Sequence, residues 1–381
     1  MKKFMSVALA AVMAVSMAAC GGTTSEGSTG GSTIKIGGLG PTTGAAATYG
    51  NAVKNGTAIA VEEINALGGL QFEMNFQDDE ADAEKSVNGY NVLKDWGMQV
   101  LLGTTTTNCC LAVAPETEAD NMFLLTPSAS DPNVTKGANA FQVCFNDLSQ
   151  GTGAADYIAD NNLAEKIAII YDSSDPYSFG VHQKFVEEAK NKNLNIVADE
   201  AFTSETKTDF SVQVQKAKSA GADLVFMPIY YAEANLIIQE INKQGYDPKI
   251  FGCDGLDGLL TIEGADLSLY EDIMLLTPFV ADAPDERTQS FVKKYQEKYG
   301  EVPNQFAADA YDGVYIILEA CKKAGVTADM STSEICDLLK VAITEIEFDG
   351  LTGENMTWSA DGYVSKVPRA MKIVNGAYTA M

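Results

Sequence analysis

One histidine, His182, serves the whole 381-residue chain, and a single imidazole cannot build a His-rich metal site. The same scarcity argues against nucleophilic catalysis, since no G-x-S-x-G elbow occurs and nothing ties His182 to a cysteine. Seven cysteines are present without C-x-x-C or zinc-ligand spacing. There is no Walker-type lysine, and the glycine-rich turn from Gly37 to Gly44 lacks G-x-G-x-x-G spacing and has Pro41 inside it, so a dinucleotide site is not expected. Basic residues are outnumbered, 26 Lys and Arg against 52 Asp and Glu, a formal charge of −26. A surface this acidic, with no Lys/Arg cluster, would repel a phosphate backbone and excludes nucleic acid as a partner. The expectation is a protein without catalytic residues, metal or cofactor.

Long apolar runs are also missing. The apolar stretch from Phe4 to Ala19, behind Lys2 and Lys3, is shorter than the ~20 residues a membrane span requires and has the layout of a secretory leader, residues 1–19. Its end, Val15-Ser16-Met17-Ala18-Ala19-Cys20, resembles a bacterial lipobox, with Met17 where such boxes usually carry Leu. The resemblance implies that Cys20 becomes the first mature residue and takes a diacylglycerol, holding the protein on the outer side of the cell membrane. A soluble secreted form cut near the same place is the alternative. Gly21 to Ser32 is a Gly/Ser/Thr tether, a flexible coil with an r.m.s. reach of about 20 Å. The other six cysteines (Cys109, Cys110, Cys144, Cys253, Cys321, Cys336) are expected mostly as buried free thiols rather than bridges.

Over the whole chain the apolar content is 46 %, enough for two cores. Strand and helix patterns alternate. Thr33 to Leu39 reads as a strand, and a helix from about Asn51 places Val53, Gly56, Ala60 and Ile64 on one face. Phe72, Met74 and Phe76 alternate as a strand, a helix follows with Val87, Tyr90, Leu93 and Trp96 inward, and strands are expected at Val100 to Leu102 and Met122 to Thr126 around a helix at Leu111 to Ala119. A second run of the same kind begins near Leu148 and continues to Gly252, then Ile273 to Thr277, two long helices and an irregular β-rich tail. Such alternation predicts an α/β fold with parallel sheets covered by helices on both faces.

By this point the chain resembles the type I periplasmic binding proteins, in the Leu/Ile/Val-binding branch that feeds ABC importers. The resemblance runs from about Ile34 to the end, on Ile34-Lys35-Ile36-Gly37 with Gly40-Pro41, Asn65-Ala66-Leu67-Gly68-Gly69, Asp78-Asp79, Thr126-Pro127-Ser128-Ala129-Ser130, Ile169-Ile170-Tyr171-Asp172, Tyr230-Tyr231 with Glu233, and Phe348-Asp349-Gly350-Leu351-Thr352-Gly353. It implies two doubly wound lobes joined by a three-strand hinge, residues 33–147 plus 277–356 and residues 148–276 plus 357–381. A ligand would lie between them at the carboxyl ends of the strands. For an amino-acid ligand the family positions are Thr106, Thr107, Ala129 and Ser130 for the carboxylate and amine, Asp254 and Tyr230 for the ammonium, and Tyr49, Phe306 and Tyr177 for the side chain. The implied partners are an amino acid, the permease subunits of an ABC importer and, through Cys20, the membrane; the protein itself would be a monomer.

Each position has a plainer alternative. Asp254 is also compatible with a solvated turn beside Gly255, Thr104 to Thr107 with a β-branched strand end, and Tyr49 and Phe306 with core packing. His182 is expected on the surface of the helix after Tyr177. Two departures bear on the ligand: Thr107-Asn108-Cys109-Cys110 stands where many relatives have Ser-Gly and a small residue, and Asp254 is one methylene shorter than the family glutamate. A membrane-tethered sensor, or a binder of a short amide, urea or an aromatic acid, would use the same scaffold.

Overall fold

The computed structural model describes residues 33–381; the leader, Cys20 and the tether lie outside the described residues. Five parallel strands form the first sheet: β1 (Thr33–Gly40), β2 (Gln71–Asp78), β3 (Val100–Leu102), β4 (Phe123–Thr126) and β5 (Ala140–Gln142), in the order β2-β1-β3-β4-β5. Helices α1 (Ala47–Leu67), α2 (Ala83–Trp96) and α3 (Thr107–Ala119) make the crossovers. The local chemistry of α2 explains its bounds: the Asp82 carboxylate accepts from the Lys85 N–H at 2.9 Å at its start, and Gly97, in the left-handed region at φ 90°, stops it. On α1 the stripe of Val53, Gly56, Ala60 and Ile64 is buried, as its spacing predicts.

The second sheet has seven strands. Those named β6 (Ile167–Asp172), β7 (Ile196–Phe202), β8 (Leu224–Met227), β9 (Lys249–Gly252) and β10 (Met274–Thr277) are parallel, and β11 (Arg369–Val374) and β12 (Ala377–Ala380) add an antiparallel hairpin, giving β12-β11-β10-β9-β8-β6-β7. Its turn, Asn375-Gly376, has both residues at positive φ (51° and 74°), the requirement of a two-residue hairpin that follows the twist of its strands. Around this sheet lie α4 (Asp147–Asp160), α5 (Pro176–Asn191), α6 (Ser211–Ala220) and α7 (Tyr231–Lys243). The next helices, α8 (Glu286–Tyr299), α9 (Gln305–Ala324) and α10 (Thr332–Ala342), return to the first sheet. There Gly56 of α1 faces the backbone carbonyl of Ala307 on α9, an approach so close that no Cβ fits.

The chain therefore crosses between two lobes three times: after β5, after β10 and before β11. The crossings are tied together. Trp358 Nε1 donates to the Gln142 carbonyl at 2.8 Å, and the Gln142 N–H donates to the Gly362 carbonyl at 3.0 Å. On α9, Asp312 accepts from the N–H groups of Leu351 and Thr352, both at 2.9 Å, and Asp309 pairs with Lys366 at 2.6 Å, each side chain only 1 % exposed.

Three readings of the sequence change. Helix α3 begins at Thr107 instead of Leu111, because its first turn carries small and polar residues that show no apolar periodicity although Thr107, Cys109 and Cys110 are buried. Strand β5, Ala-Phe-Gln, was not expected: unlike the equally short β3, Val-Leu-Leu, it is no run of large apolar residues. His182 is not a surface residue: it is 8 % exposed, its ring stacks on Tyr171 at 3.7 Å, and Nε2 bonds Asp199 at 2.9 Å. It sits on the buried face of α5 with Val181, Phe185 and Ala189, against Tyr171 of β6 and Asp199 of β7. The six cysteines after Cys20 are all buried free thiols, as expected.

Candidate functional site

The loops that leave the carboxyl ends of the strands in both sheets face each other across a cleft. From the first lobe come the N-terminus of α1 with Tyr49, the β3–α3 connection with Thr106 and Thr107, the segment after β4 with Ala129 and Ser130, and Phe306 at the start of α9. From the second come Tyr177 on α5, Tyr230 before α7 and Asp254 after β9. Sequence reasoning named these nine residues, and the fold brings them to the same cleft.

Aromatic side chains close its inner part. The Tyr49 ring lies 4.3 Å from Phe306, 5.0 Å from Tyr231 and 5.5 Å from Tyr230, and Tyr230 stacks on Tyr177 at 5.2 Å. The Tyr49 hydroxyl reaches across the cleft, donating to the Gly255 carbonyl at 2.5 Å and accepting from the Tyr231 N–H at 3.1 Å. Tyr177 accepts from the Gly255 N–H at 3.0 Å. Two more bonds cross nearby: Thr48 to Thr261 at 2.9 Å between hydroxyls, and the Gln305 N–H to Asp257 at 2.8 Å.

The polar groups fall into an acceptor side and a donor side. Asp254, 3 % exposed, is clamped by Gln150, whose Nε2 donates to the carboxylate at 3.0 Å and whose Oε1 accepts from the Asp254 N–H at 3.3 Å. Burial pushes its carboxyl up to about 7, against the pull of Tyr177 and Gln150. Three residues before Gln150 on α4 stands Asp147, fully buried, with neither carboxylate oxygen bonded. Burial raises it well above the usual carboxylate range against the pull of the neighbouring Ser130 hydroxyl, and Asp131 and Asp254 add repulsion. A side chain at Gly180 would press on it: a Cβ there would lie 2.6 Å from Asp147 Oδ2. On the donor side, Thr106 holds the N-cap position of α3 in extended backbone, but its hydroxyl does not cap the helix. Thr106 Oγ1 and Ser130 Oγ are buried without partners, and the first turn of α3 keeps its positive dipole end uncapped by a side chain.

Not every named residue offers a free group. Thr107 Oγ1 accepts from the Ser130 N–H at 3.1 Å. The Ala129 N–H donates to Thr126 Oγ1 at 2.9 Å, and its carbonyl accepts from Gln142 at 2.9 Å. A cavity of about 300 Å³ between the lobes is lined by Thr106, Asn108 and Glu80 on one side and Tyr230, Asp175 and Lys207 on the other. Of the nine named residues, Thr106 and Tyr230 line it. Sequence reasoning missed Asp147, Gln150, Asp175 and Lys207. In the structure Asn146 and Asp175 are the N-caps of α4 and α5, a local role that marks no site; the i, i+3 spacing of Asp147 and Gln150 was the available signal.

A family model described as periplasmic binding protein matches residues 33–377. The chain belongs to that family. Among curated relatives, it is 29% identical over 302 residues to the Leu/Ile/Val-binding protein homolog 3 of Brucella melitensis, covering 78% of this chain and 80% of the relative. It is 27% identical over 304 residues to the leucine-, isoleucine-, valine-, threonine- and alanine-binding protein of Pseudomonas aeruginosa, covering 77% and 79%. Among solved structures, the branched-chain amino acid transporter substrate binding protein LivJ of Streptococcus pneumoniae, in complex with isoleucine, aligns with a TM-score of 0.82 at 29% identity over 91% of this chain and 98% of its own. The leucine binding protein LivK of Thermotoga maritima aligns with a TM-score of 0.82 at 26% identity, over 91% and 97%. The family consists of extracytoplasmic binding proteins for transported small molecules. No helix among the described residues is long and apolar enough to cross a membrane.

Proposed function

We propose that the protein is the extracytoplasmic capture component of an ABC importer, taking an α-amino acid between its lobes and presenting the closed form to the permease. The observation that carries this reading is the pairing of opposite needs in one cleft. Thr106, Ser130 and the uncapped end of α3 offer donors and positive potential to a carboxylate. Asp254 holds a buried carboxyl on the second lobe, and Asp147, whose N–H donates to the Ser130 carbonyl at 3.0 Å, holds another beside Ser130; a ligand ammonium would satisfy them. A zwitterion answers both. Tyr230 flanks the ammonium, and Tyr49 packed on Phe306, with Tyr177 stacked on Tyr230, forms the inner wall of the cleft. The names of the relatives support an amino acid, and no step of catalysis is assigned to any residue.

We assign residues 33–147 with 277–356 to one lobe and 148–276 with 357–381 to the other, a division that the sheet memberships of β1 to β5 and β6 to β12 support except at Thr277, the last residue of β10. The working unit is a monomer tethered through lipidated Cys20. A thermal-shift panel of the amino acids, short amides, urea and aromatic acids tests the ligand class. At a hundredfold excess over its Kd, a true ligand raises stability by about 2.7 kcal/mol. A shift confined to the amides, urea or aromatic acids would replace the amino-acid reading, and no shift with any of them would favour a sensor of another ligand. For the anchor, Cys20→Ser should release the protein from membranes; continued retention would refute lipidation at Cys20.

A further inference from the structure

The inner cluster of Tyr49, Tyr177, Asp254 and Phe306 is filled by its own side chains, each at most 5 % exposed, whereas the cavity of about 300 Å³ lies between Thr106, Tyr230 and the β6–α5 loop. Its volume falls at the lower end of small-molecule sites. Its walls combine apolar groups, Ala46 and Ile229, with four carboxylates: Glu80 from the first lobe and Asp172, Asp175 and Glu233 from the second. Two of the four are compensated, Glu233 by Lys207 at 3.1 Å and Glu80 by Lys85 at 2.6 Å. Asp172 and Asp175 enter no ion pair within 4 Å among the described residues. Each commits one oxygen to its own loop: Asp172 Oδ1 accepts from the Ser174 N–H at 2.8 Å and its hydroxyl at 2.6 Å, and Asp175 Oδ1 accepts from the Ser178 N–H at 3.0 Å. A separate observation marks the space as a ligand's. Thr106, 4 % exposed, lines the cavity, and its Oγ1 is buried without a partner.

Resting on the amino-acid reading above, we propose that the preferred ligand is a basic amino acid, its carboxylate at Thr106, its aliphatic stem against Ala46 and Ile229 and its terminal cation at Asp172 and Asp175. A branched aliphatic side chain in this cavity would take solvent from the two carboxylates and return no charge, a loss that selects against it. Burial already holds the Asp175 carboxyl up at about 6, and a cation beside it removes that cost.

The test is calorimetric titration of the purified protein with L-lysine, L-norleucine, which keeps the stem but lacks the terminal amine, and L-leucine. Lysine should bind at least tenfold more tightly than norleucine or leucine. The variants Asp172→Asn and Asp175→Asn keep the acceptors that hold the loop, and each should reduce the ratio of the norleucine Kd to the lysine Kd at least tenfold. Norleucine or leucine binding as tightly as lysine would overturn the basic-ligand proposal while leaving the amino-acid reading standing. Failure of every amino acid to bind, with the protein folded by its melting transition, would overturn both.

Discussion

Burial, more than any neighbouring charge, sets the state of Asp254. A carboxyl whose ordinary value is 3.8 is held up to about 7, so in the free protein it keeps its proton across much of the range in which the same residue, unfolded, has lost it. The sign follows from that order. The folded form binds the extra proton between the ordinary value and about 7, so this residue favours folding at low pH, and the benefit is lost as pH rises through about 7. Asp257, raised to about 7 by burial, adds to the slope in the same direction. A ligand ammonium has the opposite demand, since it pairs with the carboxylate form. Affinity for an amino acid should therefore be roughly tenfold weaker at pH 6 than at pH 8, while the melting temperature of the free protein falls over the same interval. Asp254→Asn should weaken binding about tenfold or more at pH 8 and flatten the profile, because it leaves an ammonium without its partner. Titrations at the two pH values decide it, and a wild-type affinity that does not move with pH would remove Asp254 from the ammonium site.

At the scale of elements, α9 joins the cleft to the hinge. Its first turn carries Phe306 against Tyr49, and one turn on, Asp309 meets Lys366 in a pair buried to 1 % on both sides, with Thr352 bonded to the same ammonium at 2.6 Å. Removing one member strands the other, so Lys366→Met should cost about 3–5 kcal/mol in urea unfolding, and adding Asp309→Leu should recover much of the loss. A single variant within about 1 kcal/mol of wild type would mean that Asp309 takes up a proton at little cost and that the pair does not hold the third crossing. Such elements were legible in the sequence to different degrees. The strands Val100–Leu102 and Phe123–Thr126 stand where apolar patterning puts them, because a strand buried inside a parallel sheet demands a run of apolar residues. The start of α3 and the whole of β5 were not legible, since both are fixed by packing on neighbours distant in sequence. The site divides the same way. Family motifs name Thr106, Ser130 and Asp254, but Asp147 and Asp175 look like ordinary helix-starting acids until the lobes are assembled around them.

For the whole molecule, the hinge account rests on bonds that exist only while the lobes touch. The Tyr49 hydroxyl makes two of them, to the Gly255 carbonyl and from the Tyr231 N–H, and both partners belong to the second lobe. Tyr49→Phe keeps the ring against Phe306 and Tyr231 and deletes only the oxygen. In the closed form two backbone groups are then left without that partner, at a cost of about 1–3 kcal/mol, whereas in an open form water satisfies them. A penalty paid by one state alone moves the population toward the other. The variant should thus bind an amino acid about fivefold or more less tightly. In small-angle scattering at half-saturating ligand it should show a larger radius of gyration than wild type, with both proteins contracting to the same value at saturation. Asp257→Ala probes the same closure from a different bond, the one from the Gln305 N–H at 2.8 Å, and should shift scattering in the same sense. If neither substitution changes affinity or compaction, the cross-cleft bonds are contacts of a rigid pair of lobes, and capture cannot proceed by closure around the ligand.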